Sequence, residues 1–285
     1  MADRSITGID HSLVGVRDLE AARAAWQRLG FTLTPRGRHI GWGTANYCIM
    51  LDRGYVELLG IVDAAQFTNN LDKFLAEREG LLGLAFGSRD ATATRRGLAA
   101  IGLHPDGPKD LQRALELPGG NALPAFSLVF LPPEETPGLR AFFVQHLTPE
   151  IIRHPAWVVH ANRAVSLEAV IAVVDAPAAL APAYARLFGD SAVALAADTL
   201  RVATGEGVLL FVTPAELARL YPQLSLPAFP RPWVAAMRIG APSVVDAADY
   251  FDAKGLRPLA TGAGIALAPE LATGTILEFV AAFAG

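Results

Sequence analysis

Two side chains stand where this sequence can most readily do chemistry: His11, in the apolar stretch that precedes Arg17-Asp18, and Glu57, inside Tyr-Val-Glu-Leu-Leu. Both can ligate a metal ion. A carboxylate in such an apolar run is costly to bury unless it is paired or metal-bound, so Glu57 speaks for a function, and an outward-facing ladder residue is the plain alternative. A histidine on an apolar strand can equally be a hydrogen-bonded core residue, and Glu57 is what shifts the reading of His11 towards a site.

The elements that must position them follow from periodicity. An apolar run over 13–16 breaks at Arg17-Asp18, helical spacing follows through Leu19, Ala22, Trp26 and Leu29, and the helix stops at Gly30. Three short strand-like runs come next, which makes a β-α-β-β-β unit with His11 on the first strand and Glu57 on the last. The unit repeats. Arg17-Asp18 recurs 72 residues later as Arg89-Asp90, and Gly30 recurs as Gly102 at the same offset, so the two helices have one length. Each aspartate falls where an N-cap belongs and each glycine where a left-handed C-cap residue belongs. A third unit starts near Leu167 and a fourth near Trp233.

The predicted fold is therefore α+β: four βαβββ modules forming two paired-module half-barrels. Residues 1–146 make an N-terminal domain of two modules, 147–164 a linker, and 165–285 a C-terminal domain of two degenerate modules. Thr148-Pro149 and Thr213-Pro214 read as helix starts, with Thr as cap and Pro at the first helical position. The spacer 213–231 reads as a surface connection, and the insertion 105–124 as a loop with a short helix.

Composition narrows the function. With 52% hydrophobic and 18% charged residues the chain can bury a sizeable core, and a net charge of -4 without a long basic run argues against nucleic acid as the main partner. No apolar stretch has the length or position of a signal peptide or a membrane span, so a cytoplasmic protein without a membrane partner is expected. The single cysteine, Cys48, excludes an internal disulfide and reads as a small buried hydrophobe.

The stretches Ile9-Asp10-His11, Asp18-Leu19-Glu20-Ala21-Ala22 with Gly30-Phe31, Arg38-His39, Gly43-Thr44-Ala45-Asn46 and Gly54-Tyr55-Val56-Glu57-Leu58-Leu59-Gly60 resemble the vicinal oxygen chelate superfamily, and within it the glyoxalase-like domain proteins. The match is dense in the first module and architectural in the other three. The resemblance implies two modules around a divalent metal (Fe, Mn, Zn or Ni), with ligands from the first and last strands of each. Carried over by position, it implies His11, Glu57 and His146 as ligands, with Gln145 taking the last place if the strand slips by one residue. The second module offers Gly83 at the His11 position, and the fourth offers Ala236 and then Glu278. His39 is placed as a base or orienting group, and Asn46, Trp42, Tyr47 and Phe143, with Phe142, as groups around the substrate. Asn46 can equally be a satisfied strand amide. His104 and His154 read as turn residues, and His160 as a linker residue in a motif from which Ala161 and Arg163 depart.

The function implied is a metal-dependent lyase, isomerase or dioxygenase acting on a small molecule that chelates through adjacent oxygens. The alternative is a metal-free binding protein of the drug-sequestering kind, motivated by Gly83 and the apolar second half. A homodimer is compatible with either.

Overall fold

The computed structural model describes residues 5–283. The first module runs β1 (Ile6–Gly15), α1 (Leu19–Arg28), β2 (Gly37–His39), β3 (Thr44–Met50) and β4 (Tyr55–Ile61). After α2 (Leu71–Glu77), the second runs β5 (Gly80–Ser88), α3 (Ala91–Ala100), β6 (Asp106–Leu117), β7 (Gly120–Ala122), β8 (Ala125–Phe130) and β9 (Ala141–His146). The helix α4 (Pro149–Ile152) leads into the third: β10 (Ser166–Val173), α5 (Pro177–Phe188), β11 (Val193–Ala196), β12 (Thr199–Ala203) and β13 (Val208–Val212). Then come α6 (Pro214–Leu220) and the fourth: β14 (Trp233–Ala241), α7 (Val244–Ala253), β15 (Leu259–Ala260), β16 (Gly264–Leu267) and β17 (Ile276–Ala281).

Local chemistry sets the helix ends. Asp18 accepts from the Ala21 backbone N-H and Asp90 from that of Ala93, while Gly30 and Gly102 take left-handed φ values of +88° and +77° just past α1 and α3. The modules pair first with second and third with fourth, through the antiparallel contacts β1–β5 and β10–β14.

The two sheets differ in one respect that matters for the site. The first has the order β2-β3-β4-β1-β5-β9-β8-β6-β7, and β2 also pairs with β6, so eight strands close into a barrel with β7 attached to β6. The second, β11-β12-β13-β10-β14-β17-β16-β15, stays open. Closure depends on a segment that the sequence reading took for a loop with a short helix. Residues 105–124 instead form β6 and β7, and within β6 the inward Leu111, Arg113 and Leu115 alternate with the outward Asp110, Gln112 and Ala114.

One apolar core runs through both halves. The largest cluster of buried residues holds Trp26 and Phe86 together with Phe211 and Phe279, and the Trp26 indole N-H donates to Thr273 Oγ1 at 3.0 Å. Residues 147–164 are a fastened strap rather than a free tether. His160 Nδ1 accepts from the Thr32 N-H at 3.0 Å and its Nε2 donates to the Met50 carbonyl at 2.8 Å, while the Asn162 amide donates to the Leu29 carbonyl at 2.8 Å. The fourth-module Glu278 is buried and fully engaged, accepting from Arg238 Nε at 2.7 Å and the Tyr221 hydroxyl at 2.8 Å, with Thr261 as a third donor.

Candidate functional site

The barrel interior holds a cavity of about 870 Å3. Side chains alternate across each strand, so Thr44 on β3, Tyr55 and Glu57 on β4, Phe142 and Val144 on β9, and Phe126 and Leu128 on β8 line it. His11 and Leu13 enter from β1, Arg113 from β6 and His39 from β2. The C-terminal half completes the wall, because the end of the spacer and the start of β14 carry Phe229, Pro230, Pro232 and Trp233 over the cavity. This segment is more than the surface connection expected of it.

A chain of titratable groups, buried at His11, His39 and Glu57 and half-buried at Asp10 and His146, crosses the wall. His146 Nε2 lies 3.0 Å and 3.1 Å from the two oxygens of Asp10, and Asp10 Oδ1 lies 2.7 Å from His11 Nδ1. His11 Nε2 then faces Glu57 Oε2 at 3.5 Å, and His39 Nε2 faces Glu57 Oε1 at 3.8 Å. The Asn46 amide donates to Glu57 Oε1 at 2.5 Å, and His39 Nδ1 is 2.9 Å from Thr44 Oγ1. Adjacent residues on a regular strand point to opposite faces, yet Asp10 and His11 join one network. A register shift between Ile9 and His11 in the β1–β5 ladder allows it.

The electrostatics follow from burial and from these neighbours. Burial alone would raise the Glu57 carboxyl, but His11, His39 and Arg113 and the Asn46 hydrogen bond outweigh it and hold Glu57 below the usual carboxylate range. Asp10 behaves alike: burial raises it, and the charge of His146 with the bonds from His11 and His146 brings it well below its ordinary value. Burial lowers His39, and Glu57 opposes that only in part, so His39 is neutral at neutral pH. Burial raises the Tyr55 hydroxyl, whose ring stacks on His11 at 4.2 Å.

The residues singled out in the sequence are placed unequally. His11, His39, Trp42, Glu57 and Phe142 line the cavity. Tyr47 and Phe143 do not. Tyr47 packs towards α1, where its hydroxyl donates to Glu20 at 2.7 Å, and Phe143 lies in the main core 5.5 Å from the Phe86 ring. Strand parity is the reason, since Phe142 takes the inward place next to Phe143 and Asn46 the inward place next to Tyr47. Asn46 stands behind Glu57 as its hydrogen-bond donor rather than on the cavity surface. On β9 the inward residue of the Gln145-His146 pair is His146, and Gln145 accepts from the Ala91 N-H at the start of α3. His104 pairs with Glu135, and His154 caps Ala156. Asp10 and Arg113 were missed. The adjacency of Asp10 to His11 and the alternation Leu111-Arg113-Leu115 were the signals that could have found them.

The side chains do not fit the three-ligand metal centre that the resemblance implies. His146 is turned onto Asp10, and its Nδ1 is buried without a partner. Register explains why it is out of place. Leu13 pairs with Glu57 in the first module, and 72 residues on Ala85 pairs with Phe142, so an apolar ring occupies the position equivalent to Glu57. The His11 position falls on Gly83, where a Cβ would lie 2.2 Å from the Arg140 carbonyl oxygen. Arg113, 2% exposed, adds a fixed positive charge to the same wall. Among the described residues no group of three or more His, Cys, Asp or Glu side chains is arranged to hold a metal ion.

A model of the glyoxalase-like domain matches residues 9–188. The chain belongs to the glyoxalase-like domain family. None of the curated proteins matches it. Among solved structures, this glyoxalase-like protein is similar to a hypothetical protein from Staphylococcus aureus, with a TM-score of 0.67 at 13% identity over 96% of this chain and 98% of that one. A xylose isomerase-like TIM barrel/4-hydroxyphenylpyruvate dioxygenase fusion protein follows at 0.54 and 15%, covering 89% of this chain and 40% of that chain. Methylmalonyl-CoA epimerase from Mycobacterium tuberculosis scores 0.41 at 20% identity over 53% of this chain and 96% of its own. At these identities the first two likenesses show the fold. No helix among the described residues is long and apolar enough to cross a membrane.

Proposed function

We propose that this glyoxalase-like protein is a small-molecule enzyme of the isomerase or lyase type that moves a proton at a carbon next to a carbonyl. The observation that carries this reading is Glu57 in the cavity wall between His11 and His39, at 3.5 Å and 3.8 Å, distances at which neither histidine is spent in a short bond to it. His39, neutral and with Thr44 at Nδ1, presents Nε2 as the base. It takes the proton from carbon, the electron pair moves onto the carbonyl oxygen, and the ionised Glu57 stabilises the imidazolium that results. Asn46 holds Glu57 in place, and Asp10 fixes His11.

The test is solvent deuterium exchange, followed by NMR, over a panel of small enolisable carbonyl compounds. Exchange should fall by about 10²–10⁴-fold in His39→Gln and Glu57→Gln, both still folded, and should be unchanged by chelators. Near-stoichiometric metal in untagged protein, lost together with exchange in His11→Ala, would replace this reading with the metal-dependent one.

A second reading is binding without chemistry. The aromatic walls favour it, with Phe126, Phe130 and Phe142 inside the barrel and Phe229 and Trp233 across from them. Stabilisation by ligands with exchange on none of them would decide for it.

A further inference from the structure

Arg113 is a buried charged group on the cavity wall that the proton-transfer reading uses only as a charge beside Glu57. Its Nη1 donates to Cys48 Sγ at 3.1 Å, and its guanidinium lies over the Phe126 ring at 5.4 Å. Nε and Nη2 are buried and have no hydrogen-bond partner. These two nitrogens form one edge of the guanidinium fork, the edge whose parallel N-H groups match the two oxygens of a carboxylate. Leaving them unpaired away from water is unfavourable by more than a typical hydrogen bond contributes, and the charge makes it worse.

The other arginines on the wall give the same sign. Arg78 donates to the carbonyls of Leu81 and Glu79, and Arg140 to that of Asn69, so neither charge is neutralised there. Among the described residues, none of Arg78, Arg113 and Arg140 forms an ion pair with a carboxylate. The acidic side chains on the wall are Glu57, already held by Asn46 and flanked by histidines, and Glu77, which is exposed. Most of the remaining surface is hydrocarbon.

We infer that the cavity takes a small, largely apolar carboxylate, with its body among Phe126, Phe142 and Leu128 and its two oxygens on the Nε–Nη2 edge of Arg113. This rests on the reading of the barrel interior as a ligand site. Arg113 is a binding residue in this scheme and takes no part in the proton transfer.

The experiment is calorimetric titration of the full chain with phenylalkanoates and medium-chain fatty acids, each beside its own neutral primary amide. The carboxylate should bind on the order of tenfold to a hundredfold more tightly than its amide, the worth of a charged hydrogen-bonded pair. Arg113→Met should bring the ratio to about one, and Arg113→Lys, which keeps the charge and loses the fork, should fall between. Because Arg113 also touches Cys48 and Phe126, thermal melting is run beside each titration. If Arg113→Met is unfolded, the wild-type ratio and Arg113→Lys decide, and a full preference in Arg113→Lys counts against the fork. Equal affinity for carboxylate and amide in the wild type, or a preference that survives in folded Arg113→Met, overturns the assignment and leaves the cavity reading intact. No binding of any pair removes the cavity reading itself.

Discussion

Glu57 on the cavity wall and Asp10 beside His11 keep their charge only because histidines and donors face them, and that dictates how the protein responds to acid. Both carboxyls are lowered in the folded state, so the stability they contribute is present above their ordinary values of 4.5 and 3.8 and is lost as pH falls. His39 and His160 are also lowered, by burial first, from 6.5. In the unfolded chain they take up protons near that value while the folded protein resists, so this loss too runs with falling pH and begins earlier. The melting temperature should therefore be flat above about pH 7, decline below about 6.5 and decline more steeply below about 4.5. His160→Gln should lower the melting temperature throughout and shrink the first decline. Gly37→Ala tests the support of Glu57 directly. A Cβ there would lie 2.3 Å from Asn46 Oδ1 and 3.0 Å from Arg113 Cδ, so the variant should lose about 1–3 kcal/mol in chemical denaturation. At this scale the sequence was legible in residue type and poorly legible in direction. His11 and Glu57 could be picked out because a carboxylate and an imidazole in apolar runs are conspicuous. Tyr47 and Phe143 could not be told from their inward neighbours, because a one-residue slip in parity exchanges the two faces of a strand.

Helix ends were the most legible elements, since a cap is decided by a few consecutive residues. The carboxylates of Asp18 and Asp90 each hold the first turn of a helix that packs on the barrel, and Asp18→Ala and Asp90→Ala should each cost about 1 kcal/mol, read from the denaturation midpoint. The two losses should add, as the caps belong to different helices with no shared partner. The strand β6 was the least legible. Gly107 and Pro108 near its start and Gly119 and Gly120 just past its end punctuate the segment heavily, and those residues outweighed the alternation at its centre. Reading that segment as a loop concealed both the closure of the barrel and Arg113. The third-ligand position failed for a different reason: equivalence between modules is set by pairing register, which matches Phe142 and not His146 with Glu57.

Across the whole molecule, the division into halves that repeats suggest is bridged by shared packing. Trp26 reaches Thr273, the Arg53 guanidinium meets Glu168 at 2.9 Å, and Phe31 lies 6.1 Å from Phe279. The full chain should then unfold in one calorimetric transition, and residues 1–146 produced alone should lack a cooperative melt, having exposed the face that Trp26 and Phe31 bury. Two resolved transitions would contradict this. The pairing of β2 with β6, set by Gly37 on Leu115 and His39 on Arg113, bears on selection as much as on folding. A ring of strands joined all round by backbone hydrogen bonds has a fixed girth, and Phe229 and Trp233 of the other half close over its cavity. Such a chamber discriminates by cross-section: a straight-chain ligand should be accepted and its isomer with a single branch near the buried head refused, read as the difference between their titrated affinities.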